Sequence, residues 1–217
     1  MEPGLTWQTR ALDRSLAPAR ARALQRSEKL IAAATELLHE TGGTDFTVQD
    51  VVARASTSLR AFYQHFAGKD ELLAAVLEEA IASFVVVLRE QVAARRDPVA
   101  KLRAYVLGFY GAGGGPHEGA SRALSRHLLS LTQANPSELA RILEPQVSLL
   151  AEIVGAGVAS GELRSDVPAD HLTVLLNQTV MGAVEMRVLG AHLGGEAITG
   201  EELWGFCSRG VLAPGLA

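Results

Sequence analysis

The stretch TVQDVVARASTSLRAFYQHFAGKDELL, residues 47–73, places two helix starts and one sharp turn within 27 positions. Thr47 stands where an N-cap belongs, and Asp50, three residues on, is placed to bind back to it. Val48, Val51, Val52 and Ala55 then make one apolar face over two turns. Ser56 and Thr57 break this helix, Ser58 caps a new start, and Phe62 and Phe66 share a face four residues apart. Gly68 interrupts again, after which Asp70 and Glu71 fill a first turn, where carboxylates suit the helix dipole. Two short helices joined by a tight turn, with a helix before them to close a small core, predict a helix-turn-helix module.

The rest of the chain carries the same helical period. Leu30, Ile31, Ala34, Leu37 and Leu38 predict a first helix from Ser27 to the Gly42-Gly43 stop. The fourth helix runs past Gln91, and Asp97-Pro98 opens another that ends in the GAGGGP loop at 111–116. Further periodic stretches cover about 117–132, 136–160, 168–190 and 200–210, punctuated by Asn135-Pro136, Gly161 and Val167-Pro168. No strand pattern competes, and 48% hydrophobic content carried by Ala, Leu and Val, with only 5% aromatics, suits helices. The expectation is an all-α chain of three short helices followed by six longer ones, a small module fused to a larger one within 217 residues.

Location and charge narrow the function. The N-terminus has Glu2 and no apolar h-region, and the longest strongly apolar run, Phe84–Leu88, is too short for a bilayer, so a soluble cytoplasmic protein without a membrane partner is expected. Cys207 is the only cysteine, which excludes an intramolecular disulfide and a cysteine-based zinc site. A net charge of −4 speaks against a nucleic-acid partner until its placement is considered. Residues 1–75 hold nine basic and nine acidic residues, against eleven and fifteen beyond, so the excess acid lies in the second part. Residues 1–25 lack a sustained apolar period and read as a flexible arm. Across this arm and the start of the first helix, Arg10, Arg14, Arg20, Arg22, Arg26 and Lys29 face only Asp13 and Glu28, which makes it a basic arm.

With Val51, Val52, Ala55, Phe62 and Phe66 inside the module, Arg60, Ala61 and Gln64 occupy the opposite face of the third helix, flanked by Tyr63 and His65. That face suits a major groove. Thr47 and Ser58, at helix starts, are candidates for phosphate contacts, and Lys69 for another.

At these residues the segment resembles the DNA-binding domain of the TetR family of bacterial transcriptional regulators. The shared pattern is Thr47, Val51-Val52, Ala55, Ser58, Tyr63-Gln64-His65-Phe66 and Lys69, within about residues 27–80. The resemblance implies that Tyr63, His65 and Lys69 contact phosphates while Leu59, Arg60, Ala61 and Gln64 face base edges. Arg60 is the candidate for reading a guanine and Gln64 for an adenine. Two departures stand out. Ser56 occupies a turn position where Gly is frequent, which implies strain, and Leu59 replaces a polar residue, which leaves only apolar contact.

The resemblance also implies an arrangement for the remainder: residues 26–70 as DNA-binding domain and 71–217 as effector-binding and dimerisation domain. The last two long helices would pair with their copies in a homodimer, through Leu172, Leu176, Val180, Val184, Val188, Leu203, Trp204 and Phe206. An effector pocket is expected near Tyr105, Phe109, His127, Asn177 and Met181, and the scarcity of aromatics points to a hydrophobic small molecule. No cofactor or metal is expected.

Other classes fit less well. His117-Glu118 lacks the second His of a zincin, GAGGGP lacks the Lys-Ser/Thr of a phosphate loop, and no Gly-x-Ser-x-Gly elbow is present, so no catalytic residue is assigned. A helical adaptor on the same fold without operator binding is the alternative.

Overall fold

The computed structural model describes residues 7–112, 118–190 and 195–215, with the backbone alone for 8–13. The side chains of Arg10 and Asp13, residues 113–117 of the glycine-rich loop with His117, and Glu2 lie outside the described residues. The order of elements is α1 (Trp7–Thr41), α2 (Val48–Arg54), α3 (Leu59–Tyr63), α4 (Lys69–Ala93), α5 (Pro98–Gly111), α6 (Glu118–Ala134), α7 (Pro136–Ser160), α8 (Ala169–Leu189) and α9 (Gly200–Val211). Among the described residues the only β pairing is a single antiparallel bridge, Leu163 with Leu212. The chain is all-α.

Two compact units divide between Val76 and Leu77, inside α4 and not at residue 70. The first two turns of α4 bury Leu72, Leu73 and Val76, which therefore count with the N-terminal unit. That unit also buries Leu30, Ala34 and Leu38 of α1, Phe46, Val51 and Val52, and Phe62 and Phe66. Arg54 of α2 reaches back to α1 and pairs with Glu36 at 3.2 Å and Glu40 at 2.7 Å. Hydrogen bonding by Arg54 holds the Glu40 carboxyl below its usual range.

The leading segment differs from its expectation of flexibility. α1 starts at Trp7 and continues through Pro18, twenty residues ahead of Ser27. Alternating alanines at 17, 19, 21 and 23 favour helix, and the missing Pro18 donor lies on an exposed turn, where the Arg22 Nε donates to the Pro18 carbonyl at 3.1 Å.

In the C-terminal unit, α5, α7, α8 and α9 share one core, which includes Leu102, Tyr105, Leu150, Val154, Leu176 and Leu203. α7 is the one described helix long and apolar enough to cross a bilayer, with a mean hydropathy of 1.4 over its best window. It contributes Ile142, Leu149, Leu150, Ile153 and Val154 to the buried core and so serves as a core helix. Its apolarity is spread over many turns, which a search for one continuous run does not register. At its end Gly161 takes a left-handed φ of +78°, and the chain folds back so closely that a Cβ on Gly157 would lie 2.6 Å from the buried Leu163 side chain. Gly157→Ala is therefore expected to destabilise this unit by about 1–3 kcal/mol, measurable by urea denaturation.

Candidate nucleic-acid interface and ligand cavity

The turn between α2 and α3 is built by backbone bonds. The Ser56 N–H donates to the Ala53 carbonyl and the Thr57 N–H to the Val52 carbonyl at 2.9 Å, the pairing of a Schellman stop. Its left-handed position is filled by Ser56 at φ +50°, the one positive-φ residue other than glycine among those described. Since a Cβ is disfavoured there, Ser56→Gly is expected to stabilise the N-terminal unit by about 0.5–1 kcal/mol in thermal and urea melts.

The two caps differ in what they leave free. Thr47 accepts from the Asp50 N–H at 3.2 Å and donates its own hydroxyl to the Asp50 carboxylate at 2.7 Å. The Thr47 backbone N–H, also bound to that carboxylate, is the main cause holding the Asp50 carboxyl below its usual range. The anion at this seven-residue helix is thus supplied by the chain, and the Thr47 hydroxyl and backbone N–H both donate to it. Ser58 only accepts, from the Ala61 N–H at 3.1 Å, so its hydroxyl proton stays available.

α3 turns Phe62 fully inward and sets Leu59, Arg60, Tyr63 and Gln64 in solvent, with Ala61 and His65 half-buried at the edges. Tyr63 is 60% exposed and braced edge-on by the Phe62 ring at 5.3 Å. Neither Arg60 nor Gln64 has a side-chain partner among the described residues. Lys69 departs from expectation. Its Nζ donates to the Thr44 carbonyl and, at 2.6 Å, to the Phe46 carbonyl, and lies 4.7 Å from the Phe46 ring centre. An ammonium with two backbone carbonyls and a ring around it is a strut between the α1–α2 loop and α4, not an open phosphate contact.

Residues 30–76, which hold this arrangement, match the family of bacterial regulatory proteins of the tetR type. Over these residues the chain resembles the TetR family. Solved TetR-like structures extend the likeness over the whole fold. FadR of Bacillus subtilis, solved with stearoyl-CoA, is 18% identical with a TM-score of 0.65, over 84% of this chain and 98% of that one. A TetR-family regulator of Pectobacterium atrosepticum is 20% identical with a TM-score of 0.67, over 88% and 92%. SmeT, the repressor of a Stenotrophomonas maltophilia multidrug efflux pump, is 21% identical with a TM-score of 0.62, over 88% and 92%. No curated protein sequence matches the chain.

In the C-terminal unit a cavity of about 170 Å³ opens among α4 to α8, walled by Ile81, Phe84, Phe109, Leu128, Met181 and Val184. Of the five expected pocket residues only Phe109 and Met181 line it. Tyr105 stands behind, stacked on Phe109 at 5.8 Å with its hydroxyl on the Gln146 carbonyl, and burial pushes that hydroxyl's pKa up. Asn177 touches the site only through Gln146, and His127 is not on the wall. The polar lining is instead Gln146, Glu185, Ser121 and Ser125. Glu185 continues the four-residue stripe of Asn177 and Met181 by one more turn, a signal present in the sequence.

The expected dimer residues also divide. Leu172, Leu176, Val180, Val188 and Leu203 are buried in their own chain, Val184 faces the cavity, and Trp204 is half-buried against the core. Phe206 is 67% exposed. The outward arc of α8 is one step round from the predicted stripe, at His171, Leu175, Gln178 and Met186, and Leu175 is 61% exposed. Between Leu175, Thr179, Phe206 and Gly210 runs a groove of about 470 Å³. The reason is geometric: α8 is apolar around much of its circumference, and four-residue spacing marks a face without saying what covers it.

Proposed function

We propose that the protein is a repressor that binds a palindromic operator as a homodimer in the cytoplasm and is released by a small hydrophobic effector. The observation that carries the reading is the outward face of α3, where Arg60, Tyr63 and Gln64 stand exposed on a capped, turn-locked helix with no side-chain partner for Arg60 or Gln64 among the described residues. Such a face supplies a bidentate donor for guanine and an amide for adenine, with Ser58, Tyr63 and His65 toward phosphates and Leu59 and Ala61 in apolar contact. One module reads few base pairs, so two copies on half-sites about 34–36 Å apart, or a multiple of that, are required. The exposed Leu175 and Phe206 rim the groove that would join them.

The stearoyl-CoA of the Bacillus subtilis FadR structure is not carried over, because a cavity of about 170 Å³ is far smaller than such a ligand. By linkage the effector must favour DNA-free protein by the factor by which it weakens operator binding, about 5-fold to 150-fold for 1–3 kcal/mol of coupling. Footprinting on the DNA next to the protein's own gene, repeated across a salt series, tests the reading. A two-fold protected site whose affinity falls steeply with salt is expected. Absence of any protected site at low salt leaves the helical adaptor.

A further inference from the structure

The polar groups around the cavity are unevenly matched. Gln146, 1% exposed, spends its Nε2 on the Asn177 Oδ1 at 3.4 Å and the Met181 Sδ at 3.5 Å, which leaves its Oε1 without a hydrogen bond among the described residues. Glu185 lines the same cavity half-buried, and no described residue bonds or ion-pairs with its carboxylate. Nearby cations make other contacts, although the buried Arg187 Nε has no hydrogen bond among the described residues. Arg187 donates to the Tyr110 carbonyl and lies over that ring, and Arg122 binds the Val188 carbonyl at 3.1 Å and Glu118 at 2.8 Å. Burial raises the Glu185 carboxyl above its usual range, the direction expected for a charge with no compensating partner.

The Ser121 and Ser125 hydroxyls on the same wall can donate or accept, but the open valences of Gln146 Oε1 and the Glu185 carboxylate are acceptors. A ligand that satisfies them must donate, and one that also carries positive charge removes the cost of burying Glu185 beside an apolar wall. Size sets a second limit. A protein cavity of about 150 Å³ takes benzene, so one of about 170 Å³ suits a body of roughly six to ten heavy atoms. Phe84 and Phe109, packed edge to face at 5.4 Å, offer an apolar wall for it.

We infer that the effector is a small hydrophobic amine, bound as its ammonium form with Glu185 as counter-ion and Gln146 Oε1 as a second acceptor. This rests on the reading of the cavity as the effector site and names the ligand's chemistry there.

Benzylamine, benzyl alcohol and benzoate, similar in size and different in charge, form the test by calorimetry at neutral pH. Benzylamine is expected to bind the full-length protein about tenfold more tightly than benzyl alcohol, with benzoate weakest. In Glu185→Gln that preference is expected to fall to about onefold while alcohol binding persists. Equal binding of amine and alcohol to the wild type overturns the inference, as does a preference for benzoate or one that survives in Glu185→Gln. The wild-type comparison stands even if the variant folds poorly. No binding by any of the three overturns the inference and the cavity reading together. Operator release, followed by fluorescence anisotropy, separates the two claims. Amine-selective binding without release keeps the charge assignment and removes the effector role. Release by the alcohol as readily as by the amine does the reverse.

Discussion

Phe206→Glu is expected to make the proposed homodimer monomeric and to remove operator binding at concentrations where the parent saturates. Phe206 is 67% exposed at the rim of the α8/α9 groove, in a face that also carries Leu175. In a two-fold interface each substitution occurs twice, so two carboxylates would enter an apolar contact without partners. With about 2 kcal/mol or more for each central aromatic lost, the pair costs at least roughly 4 kcal/mol, near a thousandfold in dimer affinity. Because Phe206 points away from its own core, the melting profile of the folded monomer should retain full helicity. Sedimentation velocity and operator titration check both halves. A variant that stays dimeric would place the interface on another face.

Arg60→Ala and Lys69→Ala are expected to fail in different ways. Arg60 has no internal partner among the described residues, so its removal should leave stability unchanged, cost about 1–3 kcal/mol of operator binding and relax preference at one base step. Lys69 bonds two backbone carbonyls, so Lys69→Ala should lower the stability of the N-terminal unit by about 1–3 kcal/mol through lost charge-assisted bonds. Its loss of affinity should track unfolding and be blind to sequence. Urea melts beside titrations on parent and single-base-variant operators distinguish the two. Equal, sequence-blind losses at unchanged stability would remove base reading from Arg60 and return Lys69 to the phosphates.

Much of this architecture is written locally. The Thr47–Asp50 capping box, the Ser58 cap, the Asp97-Pro98 and Asn135-Pro136 helix starts and the Gly161 stop all depend on atoms within a few residues of one another, so the sequence alone determined these boundaries, though not the start of α1. The inward Phe62 and Phe66 and the outward Arg60 and Gln64 follow from the same short period, and with them the face proposed to bind DNA. Ser56 also declared itself, because a turn of that kind needs a left-handed residue whether or not glycine supplies it.

Tertiary structure decided what distance along the chain conceals. Lys69 reaches carbonyls 25 and 23 residues earlier, and nothing near Lys69 in sequence announces them. On α8 the stripe at Leu172, Leu176 and Val180 and the stripe at His171 and Leu175 differ by one residue of register, and only the packing of α5, α7 and α9 determined which lies inside. The cavity, likewise, is a gap left by several helices together. Its polar lining, Gln146 and Glu185, comes from helices remote in sequence, so periodicity within either one could place a face but not the space it borders.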